Sequence, residues 1–248
     1  CFLAARPNEQ IYNQCSEGSK VIYVGSLAGL LPGGPGHSHQ SVRDIAALGA
    51  IPNLLMAEPA FEAEVRALFD YFVNTETQSA YLRLVSVKWP MPFVYPAELA
   101  VRKGRGWVVR EGRDIVVFGY GPWLLANAWH AAEEVERSRG ISTRIINLPW
   151  LNHVDSAWLR DVIGTTRAVV TLDNHYVRGG QGQMIAAAIA GLRLEAAVTV
   201  STIGVAKLPE CGTNDEVLGH HALDIASLAD VIRTAAENRP RSVASQIA

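Results

Sequence analysis

Cysteine, charge of either sign and long apolar runs are all scarce in this chain, and each scarcity closes off a class of function. Cys1, Cys15 and Cys211 are odd in number and irregularly spaced. That excludes a disulfide framework and a zinc-ligand pattern, suits a reducing compartment, and makes the chain read as cytoplasmic. Twenty-two Lys and Arg against 24 Asp and Glu leave a formal charge of −2, with no basic run to meet nucleic acid or an anionic membrane surface. The longest uncharged apolar stretches, 115–128 and 184–192, fall short of the roughly 20 residues that cross a bilayer, and Gly119 and Gly121 interrupt the first. Residues 1–11 carry neither a starting Met nor a signal-peptide layout, and read as the interior of something longer.

What is present is enough apolar material, 49% of 248 residues, to bury a substantial core. Its periodicity alternates. A short helix is expected over 9–16, strands over 20–24, 54–57 and 81–87, and helices from about 42 to 48 and over 60–72. From 88 to 106 the pattern dissolves into an aromatic- and Pro-rich run and a basic turn, the composition of an interdomain linker with a boundary near residue 100. The second half restarts with strands over 107–110, 115–120, 141–148, 168–172 and 197–203, and helices over 123–139, 155–163, 183–190 and 224–237. Residues 173–182 read as a loop, and 238–248 as a fraying end. The expectation is α/β throughout, in two domains, 1–100 and 101–248.

The densest signal is the stretch 32–53, where a turn rich in glycine and proline sets out His37, His39 and Gln40 directly after a strand and before a helix. A strand, a loop that brings backbone and imidazole close to a small molecule, and a helix make the active edge of many α/β folds. This motif, Gly-His-Ser-His-Gln-Ser-Val-Arg-Asp-Ile-Ala-Ala-Leu-Gly-Ala-Ile-Pro-Asn followed by Met56-Ala57-Glu58-Pro59, resembles the pyrimidine-binding domain of the transketolase superfamily of thiamine diphosphate enzymes. Independently, residues 173–182 and 204–213 resemble the C-terminal domain of the same enzymes, in the version split into two polypeptides, of which this is the C-terminal one.

The resemblance implies an incomplete pyrimidine-binding domain followed by a transketolase C-terminal-like domain. It also implies thiamine diphosphate shared between chains: a partner subunit or segment grips the diphosphate through Mg2+, and this portion holds the aminopyrimidine. The Gly-Asp-Gly motif for metal and diphosphate does not occur here, so no metal ligand is expected in the chain itself. The Glu that activates the cofactor would lie upstream of Cys1, and the chain is expected to be truncated, cleaved or completed by a partner, in a dimer of such units.

By the same resemblance, His39 faces the reacting centre, and the ordinary histidine pKa of about 6.5 suits it to exchange a proton near neutrality. The alternative is a cap on the following helix. His37 either shares the pocket or only sits in the loop, Gln40 is expected to meet the cofactor and orient His39, and Phe2 either stacks on the pyrimidine or is a core residue. Departures matter as well. A donor-contacting His is replaced by Leu27 and a phosphate-gripping Arg by Ser86, which points away from a pentose phosphate; Arg83 either compensates as a substrate ligand or forms a structural ion pair. His175 is a further candidate for the substrate channel. The expected activity is transfer of a two-carbon ketol unit from a ketose-type donor to an aldehyde, with a sugar-like small molecule as substrate. The alternatives are a non-catalytic component of such an assembly and the β subunit of a 2-oxo acid dehydrogenase first component.

Overall fold

In the computed structural model, which describes residues 1–95 and 99–239, the chain forms two sheets flanked by helices. The first sheet is parallel and three-stranded. β1 (Ile22–Gly25) and β2 (Leu54–Ala57) lie on either side of β3 (Ser79–Arg83), with Tyr23 opposite Tyr81 and Met56 opposite Tyr81 across the two pairings. Helices α1 (Phe2–Ala5) and α2 (Asn8–Ser16) precede it, α3 (Asp44–Gly49) follows the glycine-rich loop, and α4 (Glu62–Asn74) joins β2 to β3. Strand β2 is buried along its whole length, as a strand covered on both faces must be.

The second sheet has five strands in the order β4-β6-β5-β7-β8: β4 (Trp107–Arg110), β5 (Ile115–Gly119), β6 (Thr143–Asn147), β7 (Ala168–Tyr176) and β8 (Thr199–Val205). Only β4 is antiparallel to its neighbour. Helix α5 (Pro122–Arg139) starts with proline in its first turn and ends on Gly140 in the left-handed conformation, the pairing of start and stop signals that helices favour. α6 (Ser156–Ile163), α7 (Gln181–Gly191), α8 (Asn214–His220) and α9 (Ile225–Glu237) complete the half.

The two halves share their interior. One apolar cluster joins Leu55, Phe72 and Leu82 of the first sheet and its helix to Phe118, Ile146 and Trp150 of the second, and another joins Leu30 and Val42 to Trp123 and Leu218. The strand ends interlock too: Glu58 N donates to Pro149 O at 2.9 Å and Leu151 N to Met56 O at 2.9 Å. The segment expected as a linker is likewise engaged, since Trp89, Met91, Phe93 and Tyr95 pack on the core; residues 96–98 within it, and 240–248 of the expected fraying end, lie outside the described residues.

Three expectations about elements change. Residues 173–176, expected as loop, extend β7, because Asp173, Asn174 and His175 all find buried partners and Tyr176 still pairs with Val205 of β8. The third strand begins at Ser79 and ends at Arg83, short of Val87. Helix α3 begins at Asp44 with Arg43 at its cap, so His39 caps no helix.

Candidate active site

The carboxyl ends of parallel strands are where α/β sheets receive ligands, and the loop after β1 rises there. Its base is clamped by the second half of the chain. Leu30 N donates to Asn174 Oδ1 at 2.8 Å, Gly33 N to Asn214 Oδ1 at 3.1 Å, and Gln40 Nε2 to Leu30 O at 2.9 Å and to Glu210 O at 3.1 Å. Gly29 is required at the clamp: its φ is +83°, and a Cβ there would lie 2.0 Å from Asn174 Nδ2. Above the clamp a turn closed by His39 N and Gly36 O, 3.0 Å apart, leaves His37, Ser38 and His39 exposed. A rigid base with a bare tip is how a fold presents side chains to a ligand.

Beside the tip lies a cavity of about 250 Å³, lined by Phe2, Val24, Leu27, His39 and Tyr81 among others. The Phe2 ring stands edge-on to the His39 imidazole, with centroids 5.2 Å apart and planes at 78°. His39 Nδ1 lies 3.0 Å from Ser38 Oγ, which leaves Nε2 without a protein partner among the described residues. Tyr81 donates its hydroxyl to Asp44 Oδ2 at 3.0 Å, and burial together with the Asp44 charge pushes its pKa far up, so it stays a neutral donor. There is room for the ring because residue 25 is glycine; a Cβ there would sit 2.6 Å from the tyrosine oxygen. Leu27 takes the left-handed conformation at φ 54°, which is uncommon without glycine, and its N–H donates to Ser86 Oγ at 3.0 Å. The cavity is thus a largely apolar slot with an imidazole at its edge, suited to a flat heterocycle.

His37 and Gln40 line a second cavity that shares Cys1 and Phe2 with the first but does not include His39, so the two histidines do not line one cavity. Gln40 is buried and spends its amide on backbone carbonyls; it fixes the loop and makes no hydrogen bond to His39.

Arg83, expected either to compensate as a substrate ligand or to form a structural ion pair, is fully buried, and all three nitrogens of its guanidinium are engaged by this chain. Nε donates to Asp44 Oδ2 at 2.7 Å, one terminal nitrogen pairs with Glu58, and the other donates to Asp44 Oδ1, Ser41 O and Asn174 O. With both carboxylates inside the protein, this is the structural ion pair. Burial pushes the Glu58 carboxyl up to about 7 against the pull of Arg83, whereas the doubly bonded Asp44 is held below the usual range. His175 is likewise engaged inside the protein: its ring is buried, Nδ1 donates to Tyr176 O at 2.7 Å and Nε2 accepts from Ala46 N at 3.3 Å, so it ties β7 to α3. Burial and the nearby Arg83 push its pKa down, consistent with a neutral ring that both donates and accepts.

The glycines at 179–182 have a local explanation. Asp173 accepts from Gln181 N at 2.8 Å and Gly182 N at 2.9 Å, so a carboxylate of the chain fills the start of α7, where a bound phosphate would otherwise sit. No group of three or more His, Cys, Asp or Glu among the described residues is placed to hold a metal ion. Tyr81 also lines the slot, and nothing local in the sequence marks it: it lies opposite Tyr23 and Met56 in the sheet, and only the folded strands bring its hydroxyl close to Gly25.

Comparison with known proteins supplies context for this geometry. Residues 1–86 match the family model of the transketolase pyrimidine-binding domain, and residues 104–228 that of the transketolase C-terminal domain. The chain is 27% identical over 231 residues to a 1-deoxy-D-xylulose-5-phosphate synthase from Trichormus variabilis, covering 92% of this chain and only 36% of that protein. It is 25% identical over 233 residues to a subunit of apulose-4-phosphate transketolase from Actinobacillus succinogenes, covering 93% of this chain and 73% of the relative. Among solved structures, a split-gene transketolase in the form of an inactive β4 tetramer superposes with a TM-score of 0.82 at 28% identity, over 96% of this chain and 74% of that one. A transketolase from Pichia stipitis in complex with sedoheptulose 7-phosphate shares the fold, with a TM-score of 0.74 at 14% identity over 94% of this chain and 32% of that one.

Proposed function

Since the chain belongs to the transketolase family, we propose that it is the pyrimidine-binding and C-terminal portion of a split thiamine diphosphate-dependent transferase. In this reading it moves a two-carbon ketol unit from a ketose-type donor to an aldehyde acceptor, once a diphosphate-binding subunit or segment completes the site. One observation carries the reading: Phe2 and His39, distant in sequence, meet at the carboxyl end of the first sheet, both exposed, beside an apolar slot. The slot fits the aminopyrimidine ring, with the exposed Phe2 against it.

When bound, thiamine diphosphate supplies the electron sink that lets a carbon–carbon bond beside a carbonyl break and form. The chain's own residues orient and move protons. His39 Nε2 holds a proton for the substrate's carbonyl oxygen and takes one from its hydroxyl, which an imidazole does well near neutral pH. Tyr81, fixed by Asp44, closes the floor of the slot against water. Leu27 and Ser86 offer no cation on the strand side of His39, and the Ser86 hydroxyl is engaged by the Leu27 N–H, which favours a donor not gripped there by phosphate. The diphosphate and its Mg2+ fall to the partner.

The split-gene relative is an inactive β4 tetramer, which favours a chain that needs a second polypeptide for activity. The test is reconstitution: the chain is purified with its diphosphate-binding partner, and thiamine diphosphate with Mg2+ is titrated by calorimetry while ketol transfer is assayed. Cofactor binding and turnover by the complex alone, with turnover lost in His39→Ala, is the expected result. Cofactor binding with turnover that His39→Ala leaves unchanged contradicts the assigned role of His39, and a complex that binds cofactor yet turns over no ketose leaves a structural component.

A further inference from the structure

The second cavity, which shares Cys1 and Phe2 with the slot beside His39, differs from it in chemistry. It is larger, about 520 Å³, within the range of small-ligand sites. Two guanidinium groups and an imidazole line it from three separate elements, Arg6 just after α1, His37 from the glycine loop and Arg43 from the cap of α3, beside Gln40, whose amide is spent on backbone carbonyls. No Asp or Glu lines it. The side chains of Arg6, His37 and Arg43 have no carboxylate and no hydrogen-bond acceptor among the described residues; Arg6 only overlies the Phe2 ring, at 4.4 Å. Apolar wall comes from both halves of the chain, Phe2, Ala5 and Val42 from the first and Leu208 and Pro209 from the second, with Ser38 and Gln40 adding polar groups. A concave surface of one charge sign against low-dielectric walls focuses its field on whatever enters.

Several arginines elsewhere pair with carboxylates, as Arg66 does with Glu62, Arg105 with Asp155, Arg110 with Glu136 and Arg144 with Glu111. Arg6 and Arg43 converge on one cavity with neither paired, an arrangement that repels itself until an anion arrives. We propose that this cavity is a binding site for a small organic anion, a carboxylate or phosphate ester, received by Arg6 and Arg43 with His37 as a supplementary donor. Guanidinium groups bind both anions through paired N–H donors, and the shared chemistry is a compact oxyanion on a short carbon chain. The site does not depend on the catalytic reading, because it requires neither cofactor nor partner.

The full chain is titrated by calorimetry with glycerol 3-phosphate and, separately, with glycerate, at low and at high salt. The expected result is saturable one-site binding of at least one probe with Kd below about 1 mM at low salt, weakened as salt rises. The preferred probe distinguishes a phosphate site from a carboxylate site. The Arg6→Gln, Arg43→Gln double variant, with both changes at exposed positions, should melt like the parent and bind at least tenfold more weakly. Absence of saturable binding for both probes, or equal affinity in the folded double variant, overturns the proposal. Because cofactor binding by the complex is measured separately, loss of this anion site and loss of the transferase reading give different results.

Discussion

The tip of the glycine loop and the junction between the two sheets are built from overlapping residue types, and they differ in what surrounds each group. At the tip, His37, Ser38 and His39 stand in solvent above a base that the second half of the chain holds still. At the junction, Arg83, Asp44, Glu58 and His175 are sealed from water, and each nitrogen of the guanidinium donates to an oxygen of this chain. A polar group already satisfied inside a protein has nothing left to offer a ligand, whereas an exposed group over a rigid base does. The buried junction is therefore read as the part that fixes the halves together, and the loop as the part that reacts.

Breaking the junction should produce the largest effect. Arg83→Met leaves Asp44 and Glu58 buried without their cation, and the expected loss is about 3–5 kcal/mol in urea unfolding at pH 7. A loss below about 1 kcal/mol, the scale of an exposed pair, would mean that the network is not structural.

A second effect comes from pH. Burial raises Glu64 from an ordinary 4.5 to about 8, with the nearby Glu58 charge adding to the shift, although Ala60 N donates to it at 2.6 Å and Asn147 Nδ2 at 2.9 Å. Between those two values the folded chain holds a proton that the unfolded chain has released, so stability must fall as pH rises through that window, by an amount on the order of a few kcal/mol. Glu64→Gln should flatten that fall in unfolding curves taken from pH 5 to 8. A parent whose stability rises across the window would contradict the assignment.

Phe2→Ala sharpens the other side of the comparison and is expected to do least. Removing an aromatic contact with a flat ring should weaken thiamine diphosphate binding to the assembled complex severalfold to about tenfold, the scale of 0.5–1.5 kcal/mol for such contacts. Stability should stay within about 0.5 kcal/mol of the parent, as for other exposed positions. An unchanged cofactor affinity would remove Phe2 from the site.

Much of the fold could be read from periodicity, because strands such as Leu54–Ala57 and helices such as Ile225–Glu237 carry the pattern that their burial demands. Residues 173–176 could not, since three polar residues in a row resemble a loop until the Tyr120 hydroxyl, the α7 amides and Ala46 N arrive from elsewhere to satisfy them. Helix α8 had a readable signal that went unused: Thr213 and Glu216 form a capping box. Within the site, the glycine loop and its histidines were visible as residue types at a strand–helix transition. Their separation into two cavities depends on how the loop is clamped by Asn174 and Asn214, which no local pattern specifies. The role of Arg83 was hidden for the same reason, although Glu58 at the end of an entirely apolar strand and Asp44 between Val42 and Ile45 were both carboxylates in positions that ask for a buried cation.

The division between a reacting tip and a sealed junction is tested most directly by His39→Ala in the complex with the diphosphate-binding partner, with turnover, thiamine diphosphate affinity and thermal melting measured on one preparation. Turnover reduced by about a hundredfold or more, with melting unchanged, is the predicted result. Unchanged turnover, or a melting temperature that falls as it would for a buried group, would contradict the account.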